Sequence, residues 1–257
     1  MENLFWYQYV FIGLVFIWSG FVRSGLGFGG AVLALPFLLL IDNEPLVFLP
    51  IIAVHLLIFS ALTVLGKQGY KQFLGNSETS TVDWLYLRKS LLIMILPKLI
   101  GVLGLITLPP ALMGGIIFSI VSAYAVSYVL NKPFKSSNPK LDTLFLMLGG
   151  YISGTSLIGA PLIVTVYSTK VAAEKLRNTL FALWFILVTI KLTAFLIAGV
   201  NLQLIHHLWL LPCAAVGHII GLKFHDRMLK NDQVRFFRVL GIALLFTSAA
   251  GLWQSLR

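Results

Sequence analysis

Residues 20–31 read GFVRSGLGFGGA and residues 150–161 read GYISGTSLIGAP, and these two stretches decide the fold. Each interrupts a long apolar run with several glycines. Placing Gly20 on Gly150 also places Gly29 on Gly159. Glycine permits tight turns and close approach of backbones. The two stretches therefore predict a pair of related breaks in otherwise continuous helices.

The composition around these breaks is that of a membrane protein. The chain has 257 residues, of which 58% are hydrophobic and 11% are charged, whereas soluble domains carry about 25% charged residues. A helix that spans a membrane needs about 20 mostly apolar residues. Eight stretches approach or meet that length: 4–41, 45–65, 91–108, 111–130, 141–167, 176–200, 208–224 and 236–253.

The positions of the basic residues predict which ends of these stretches face the cytoplasm. Cytoplasmic loops of membrane proteins are enriched in Lys and Arg. Both ends of stretch 141–167 carry such residues, whereas the connections around 42–44, 109–110 and 201–207 carry none. We therefore expect stretch 141–167 to enter from the cytoplasm and return as a hairpin. By the same count, stretch 4–41 forms a hairpin that enters from outside.

These patterns together predict an all-α polytopic membrane protein built from two inverted repeats, residues 1–130 and 131–257. Each repeat would hold one glycine-broken hairpin and three transmembrane helices, giving about 8–10 membrane segments in one membrane domain. A second similarity supports the duplication, because PKLIGVLG at 97–104 resembles PCAAVGHIIG at 212–221. Inverted repeats with broken helices at the membrane midplane are typical of transporters.

The half-helices that follow the two breaks would point their N-termini, at Ala31 and Pro161, into the membrane. Helix N-termini present unpaired N–H groups and a positive dipole end, which favour anions. Arg23, Lys98 and Lys191 also lie within apolar stretches, while all nine acidic residues lie in loops or at helix ends. A charge at the membrane centre costs at least about 2.5–3.5 kcal/mol. We therefore expect a visiting anion to be the partner of these cations.

The predicted substrate site combines the three cations with glycine and polar residues of the breaks. Its residues are Arg23, Gly25, Gly27, Gly29, Gly30, Lys98, Ser153, Gly154, Thr155, Ser156, Gly159 and Lys191. The alternative for the glycines is close packing of helices through small residues. Arg23 could instead extend to the outer surface, and Lys191 could be a deprotonated buried amine.

His55 and His218 are candidates for a proton relay, because histidine titrates near neutral pH. The alternative for each is a hydrogen-bonded packing residue. The lack of acids at membrane depth disfavours uptake coupled to cations, which often uses Asp or Glu there. An anion that leaves a negative-inside cell gains about 2.3 kcal/mol per charge per 100 mV, so export needs no coupling ion.

No catalytic residue, cofactor or metal site is expected. Ser153-Gly154 and His218 superficially match rhomboid-type intramembrane serine proteases, but Tyr151 stands where that motif has glycine. The expected partners are a small anionic substrate and membrane lipid. The net charge of +10 is carried mainly by cytoplasmic loops, which favours anionic lipid over nucleic acid. The oligomeric state is left open, with a homodimer as one option.

The order of these motifs resembles the TauE/SafE sulfite exporter family of membrane permeases. The resemblance rests on the glycines of 25–30 followed by Pro36, on their counterparts in 150–161, on the sequence KLRNT at 175–179, and on the proline-glycine patterns of the third and seventh stretches. It implies a multi-pass permease of the plasma (bacterial inner) membrane. Its implied substrates are sulfite, organosulfonates or related sulfur oxyanions, usually carried outward. The alternatives are an anion uptake permease or a channel on the same fold.

Overall fold

The computed structural model describes residues 1, 4–26, 29–64, 81–132, 134–136, 138–230 and 233–255, and within them all regular structure is helical. Ten helices occupy these segments. They are α1 (Trp6–Leu26), α2 (Gly30–Ile41), α3 (Pro45–Val64), α4 (Trp84–Thr107), α5 (Pro110–Val129), α6 (Pro139–Ser156), α7 (Ala160–Lys170), α8 (Ala173–Ile197), α9 (Leu204–Lys230) and α10 (Gln233–Ser255). Six of them, α3, α4, α5, α8, α9 and α10, are long and apolar enough to cross a membrane. The prediction of an all-α polytopic membrane protein is confirmed.

The predicted stretches correspond to these helices with shifted boundaries. The clearest shift is in α4, which begins at Trp84, before the predicted start of stretch 91–108. Asp83 caps this helix, because its carboxylate accepts a hydrogen bond from the Tyr86 N–H at 3.0 Å. Lys89, which precedes the predicted stretch 91–108, therefore lies near the start of a helix.

Stretch 141–167 forms the predicted hairpin. Leu157, with a left-handed φ of 60°, ends α6, and α7 begins three residues further on. The two helices are antiparallel, because Ile163 lies against Gly149, whereas Lys170, later on α7, lies against Asp142, earlier on α6. At the open end, Lys170 Nζ lies 2.9 Å from Asp142 Oδ2. Both ends of the stretch therefore lie on one side of the bundle, as the basic residues predict.

Stretch 4–41 forms the first hairpin. Gly29 precedes α2 with a φ of 87°, a backbone conformation that favours glycine. The next residue, Gly30, lies against Ser19 and Arg23 of α1, so α2 runs back along α1.

Contacts between connections define two ends of the bundle. At one end Asn43 Nδ2 donates to Ser255 Oγ at 3.4 Å, and Asn43 also contacts Gly114 near the start of α5. At the other end the Asp83 N–H donates to Thr179 Oγ1 at 2.9 Å, which joins the beginnings of α4 and α8. These ends agree with the outer and cytoplasmic faces indicated by the basic residues. Which end faces the cytoplasm stays a prediction.

Several helix pairs touch through glycine, and we describe two of them. The first is α1 with α9. Gly20 on α1 lies against the carbonyl of Ala214. Gly217 and Gly221 on α9 lie in turn against the carbonyls of Ile17 and Phe21. Small residues allow such contact between backbones in membrane helices. We call this contact the α1–α9 seam.

The second close pair is α4 with α6, and we call its contact the α4–α6 seam. Gly101 on α4 lies against the carbonyl of Tyr151, and Gly154 on α6 lies against the carbonyl of Lys98. The two seams are equivalent when the chain is aligned on itself with Gly20 on Gly150. In that alignment Phe21, whose carbonyl meets Gly221, corresponds to Tyr151, whose carbonyl meets Gly101. This alignment makes Gly101 equivalent to Gly221, the second glycine of 212–221, whereas the sequence similarity placed it on the first, Gly217. The helix pairs α3 with α8 and α5 with α10 join the two halves. The repeats themselves, 1–130 and 131–257, stay a prediction.

The outer surfaces of the bundle are apolar. On α4, Leu92, Leu96 and Leu103 are 77%, 66% and 62% exposed. A soluble protein rarely presents apolar faces of this extent. Lipid is the solvent that these faces require, which agrees with a chain that lies in a membrane.

Candidate functional site

The tips of the two hairpins line one cavity inside the bundle. Its wall includes Gly29, Gly30 and Ala31 at the start of α2, and Leu157 and Ala160 at the break before α7. The interior volume of the cavity is about 40 Å³. The N-termini of α2 and α7 therefore face a common space. Each of these helices begins one residue earlier than predicted, because Gly30 and Ala160 already have helical geometry.

The remainder of the cavity wall is mostly apolar. It consists of Ser19, Arg23, Val32, Ile52, Leu56, Ser153, Trp184, Leu187 and Val188. Small-molecule sites typically combine an apolar wall with a few placed polar groups. Here the polar side chains are two serines and one arginine.

Arg23 places a cation in the wall of the cavity. Its side chain is 6% exposed, and its Cζ lies 4.3 Å from the centroid of the Phe59 ring. Nε and Nη2 have no hydrogen-bond partner among the described residues. A guanidinium carries five N–H donors in a fixed fork, so this group offers unused donors to an anion. The side chain is buried rather than extended to the outer surface.

Two buried lysines contact the last turns of α6. Lys98 Nζ on α4 donates to Ser153 Oγ at 3.1 Å and lies 3.4 Å from the Ser153 carbonyl oxygen. Lys191 Nζ on α8 donates to the Gly154 carbonyl at 2.7 Å. Both lysine side chains are 0% exposed. The structure thus brings Lys98, Lys191, Ser153 and Gly154 together, and Ser153 connects this group to the cavity.

No carboxylate in the described part of the chain forms an ion pair with Arg23, Lys98 or Lys191. The ion pair found there joins Lys170 to Asp142, at the open end of the second hairpin. The three intramembrane cations have other neighbours among the described residues. Backbone carbonyls, a hydroxyl and an aromatic ring surround them instead.

The other predicted site residues have contacts typical of packing. The hydroxyls of Thr155 and Ser156 both donate to the Ile152 carbonyl at 3.0 Å. Gly25 and Gly159 lie in contacts between helices, with Gly221 and with the Gly149 carbonyl respectively. Gly27 lies outside the described residues. Of the predicted glycines, Gly29 and Gly30 are those in the cavity wall.

Both candidate relay histidines lie near Arg23. Its guanidinium packs on the Phe59 ring, which contacts the ring of His218 and lies one turn along α3 from His55. His218 Nδ1 forms a hydrogen bond with Ser24 Oγ, which agrees with a packing role. His55 is 2% exposed, and neither of its ring nitrogens has a partner among the described residues. The centroids of the His55 and His207 rings are 5.2 Å apart. The two candidates therefore differ, because one is satisfied and the other is not.

Sequence reasoning missed several residues around Arg23. Ser19 and Trp184 line the cavity, Phe59 packs under the guanidinium, and His207 faces His55. Ser19 lies immediately before the first glycine stretch, which was a usable signal. The other three lie on distant parts of the chain, and no local pattern pointed to them.

Two broken helices of this bundle meet at a cavity whose wall holds a cation without an ion-pair partner in the described part of the chain. This is the architecture of a membrane transporter. Comparison with known families agrees with this class. The model of the sulfite exporter TauE/SafE family matches residues 12–252, and the chain belongs to that family. No curated protein and no solved structure gives a match. The chain is a multi-pass integral membrane protein of a transporter family.

Proposed function

We propose that the protein exports a small sulfur oxyanion, such as sulfite or an organosulfonate, which binds in the cavity between the hairpin tips. The observation that carries the proposal is the buried Arg23 side chain, which lines the cavity and whose Nε and Nη2 have no hydrogen-bond partner among the described residues. A guanidinium fork matches two oxygens of such an anion. Membership of the sulfite exporter family supports a sulfur-containing substrate.

The N-termini of α2 and α7 would add to the binding of the anion. Their N-cap residues, Gly29 and Gly159, have no side chain with which to cap the helix. The first N–H groups of both helices are therefore left to other acceptors. Together with the helix dipoles they favour a negative charge at the hairpin tips.

The two lysines support the opposite wall of the proposed site. Lys98 donates a hydrogen bond to the Ser153 hydroxyl. This hydroxyl would in turn donate its own hydrogen bond to the anion. Such a chain of hydrogen bonds strengthens each member, so Lys98 would contribute without touching the anion. Lys191 donates to a carbonyl at the negative end of α6. That contact would offset a dipole end that otherwise repels anions.

The distribution of charges supports the outward direction. No acidic side chain in the described part of the chain accompanies the intramembrane cations, so a coupling site for sodium is not indicated. An anion that leaves a negative-inside cell gains about 2.3 kcal/mol per charge per 100 mV. We therefore expect efflux that is driven by the membrane potential and independent of sodium.

The test is a flux panel with purified protein in proteoliposomes: sulfite, sulfate, sulfoacetate, taurine and chloride. Replacing Arg23→Gln removes charged hydrogen bonds worth about 1.5–3 kcal/mol, so apparent affinity should fall about 10- to 150-fold. Arg23→Lys should retain part of the affinity, because it keeps the charge but loses the fork. Lys89→Gln, which removes an exposed cation on α4, is the matched control.

Two results would contradict the proposal. One is a wild-type protein that moves none of the sulfur anions in the panel. The other is a folded Arg23→Gln variant with wild-type flux. Transport that strictly requires sodium would contradict uncoupled export. The Arg23 variants would then still test the binding site.

A further inference from the structure

His55 lies in an unusual environment for a polar side chain. It is 2% exposed on α3, and both Nδ1 and Nε2 lack a hydrogen-bond partner in the described part of the chain. A neutral imidazole carries one N–H donor and one acceptor nitrogen. Leaving a buried polar group unsatisfied costs about 1–3 kcal/mol. Retaining histidine at this position therefore has a cost that packing alone does not explain.

The ionisable neighbours of His55 come from two helices. The Arg23 guanidinium on α1 packs on the ring of Phe59, one turn along α3 from His55, and the ring of His207 on α9 lies 5.2 Å from the His55 ring. The ring of Phe16, also on α1, packs edge-on with its centroid 5.1 Å away. The other helices that pack against α3 are α2, α4, α5 and α8. The buried lysines on these helices, Lys98 on α4 and Lys191 on α8, donate to Ser153 and Gly154 of α6.

The charge of Arg23 connects His55 to the anion cavity. Two positive charges that are close together in a medium of low dielectric constant repel strongly. Arg23 therefore opposes protonation of His55 as long as its own charge is not compensated. An anion bound to Arg23 compensates that charge and attracts an imidazolium. The protonation of His55 is then favourable only together with the anion.

We propose that His55 is a proton-binding site that is coupled to the anion site and takes up a proton when an anion binds at Arg23. The inference rests on the proposed function, because it requires an anion in the cavity. The coupling is reciprocal, so a proton on His55 raises the affinity for the anion by the same factor. The site accounts for the two unsatisfied ring nitrogens of a buried histidine.

His207 supplies a route for the proton from the end of the bundle where α9 begins. It lies in the first turn of α9, where its Nε2 is 3.1 Å from the Leu202 carbonyl oxygen. Its Nδ1 is unpaired among the described residues, and its ring faces His55. His218 lies on the same helix about 16 Å further along, at 1.5 Å per residue. It is satisfied by Ser24 and makes a matched control.

The test measures proton uptake during anion binding by calorimetry, using purified protein in buffers of different ionisation enthalpy. Methanesulfonate is the probe, because it stays a monoanion across the range of about pH 5–8 in which histidine titrates. We expect the wild type to take up as much as about one proton per anion and to bind more tightly as the pH falls. This sign follows because the complex binds more protons than the free protein.

His55→Gln should abolish proton uptake and keep the wild-type affinity at the upper end of the pH range, within about threefold. His55→Leu is a second variant that also lacks an ionisable side chain at this position. It fills the buried site with an apolar group, so it should fold even if His55→Gln does not. His218→Gln should keep the proton uptake of the wild type. Thermal unfolding in detergent checks the fold of each variant.

Several outcomes would overturn the inference. They are methanesulfonate binding without proton uptake, no methanesulfonate binding by the wild type, and wild-type proton uptake in both folded His55 variants. Loss of uptake in Lys191→Met, with uptake retained in His55→Leu, would assign the proton to the lysine pair instead. The flux panel judges the proposed function separately, so a transporter of sulfur anions without proton uptake contradicts only the present inference.

Discussion

Gly101 lies on the α4–α6 seam, and replacing it with alanine tests whether contact between backbones is required there. A Cβ at this position would overlap the carbonyl oxygen of Tyr151, and it would lie 3.0 Å from the Thr155 nitrogen and 3.2 Å from Gly154 Cα. All three are backbone atoms, so no side-chain rotation relieves the overlap. The two helices would have to separate.

The expected cost is that of overpacking, about 1–3 kcal/mol. It opposes a gain of up to about 1 kcal/mol, since alanine is the better helix former. The separation should also lengthen the contact between Lys98 Nζ and Ser153 Oγ, which is 3.1 Å in the native chain. We therefore expect Gly101→Ala to lower both the thermal stability and the anion flux.

Gly104, on the same helix, provides the control. The nearest atom to a Cβ there is Leu108 Cδ1, at 3.9 Å. Gly104→Ala should therefore be neutral, or stabilising by up to about 1 kcal/mol. The assay is thermal unfolding in detergent followed by tryptophan fluorescence, together with flux in proteoliposomes. A Gly101→Ala protein as stable as the Gly104→Ala protein would refute the role of the seam.

Two further predictions concern the second hairpin. In a Cys213→Ala background, Lys140→Cys and Lys170→Cys should react with an impermeant thiol reagent from the cytoplasmic side, and Ala111→Cys should react from outside. Reaction of the first two from opposite sides would contradict the hairpin. Asp142→Asn should lower the free energy of unfolding by no more than about 1 kcal/mol, because its partner Lys170 is 42% exposed and solvent screens such pairs. A loss of several kcal/mol in thermal unfolding would show that this contact holds the hairpin together.

The hairpins could be predicted because their signals are local. Glycines mark the breaks, and basic residues at 140 and 170 mark two ends on one side, where Lys170 indeed pairs with Asp142. Arg23 could be singled out for the same reason, since a charge within an apolar stretch stands out in the sequence. These features belong to short segments of the chain, so they can be recognised in the sequence without knowledge of the fold.

The partners across the fold could not be predicted. Nothing near Lys191 indicates that its amine reaches the Gly154 carbonyl, because the contact joins helices that are distant along the chain. The start of α4 depended on the cap formed by Asp83, which lies just before the apolar run. Most of the predicted glycines that the structure describes lie in contacts between helices. The sequence could not separate the two roles, because glycine allows both close helix packing and a backbone that is accessible to a ligand.

The seams limit how this protein can diverge. Where Gly217 meets the Ile17 carbonyl, no side chain separates the two backbones, so any larger residue would force the two helices apart. The leucines on the lipid face of α4 carry no such restriction and can be exchanged for other apolar residues. Substitutions that adapt the cavity to a different cargo therefore have room at Trp184 or Leu56, while the framework that positions them keeps its glycines.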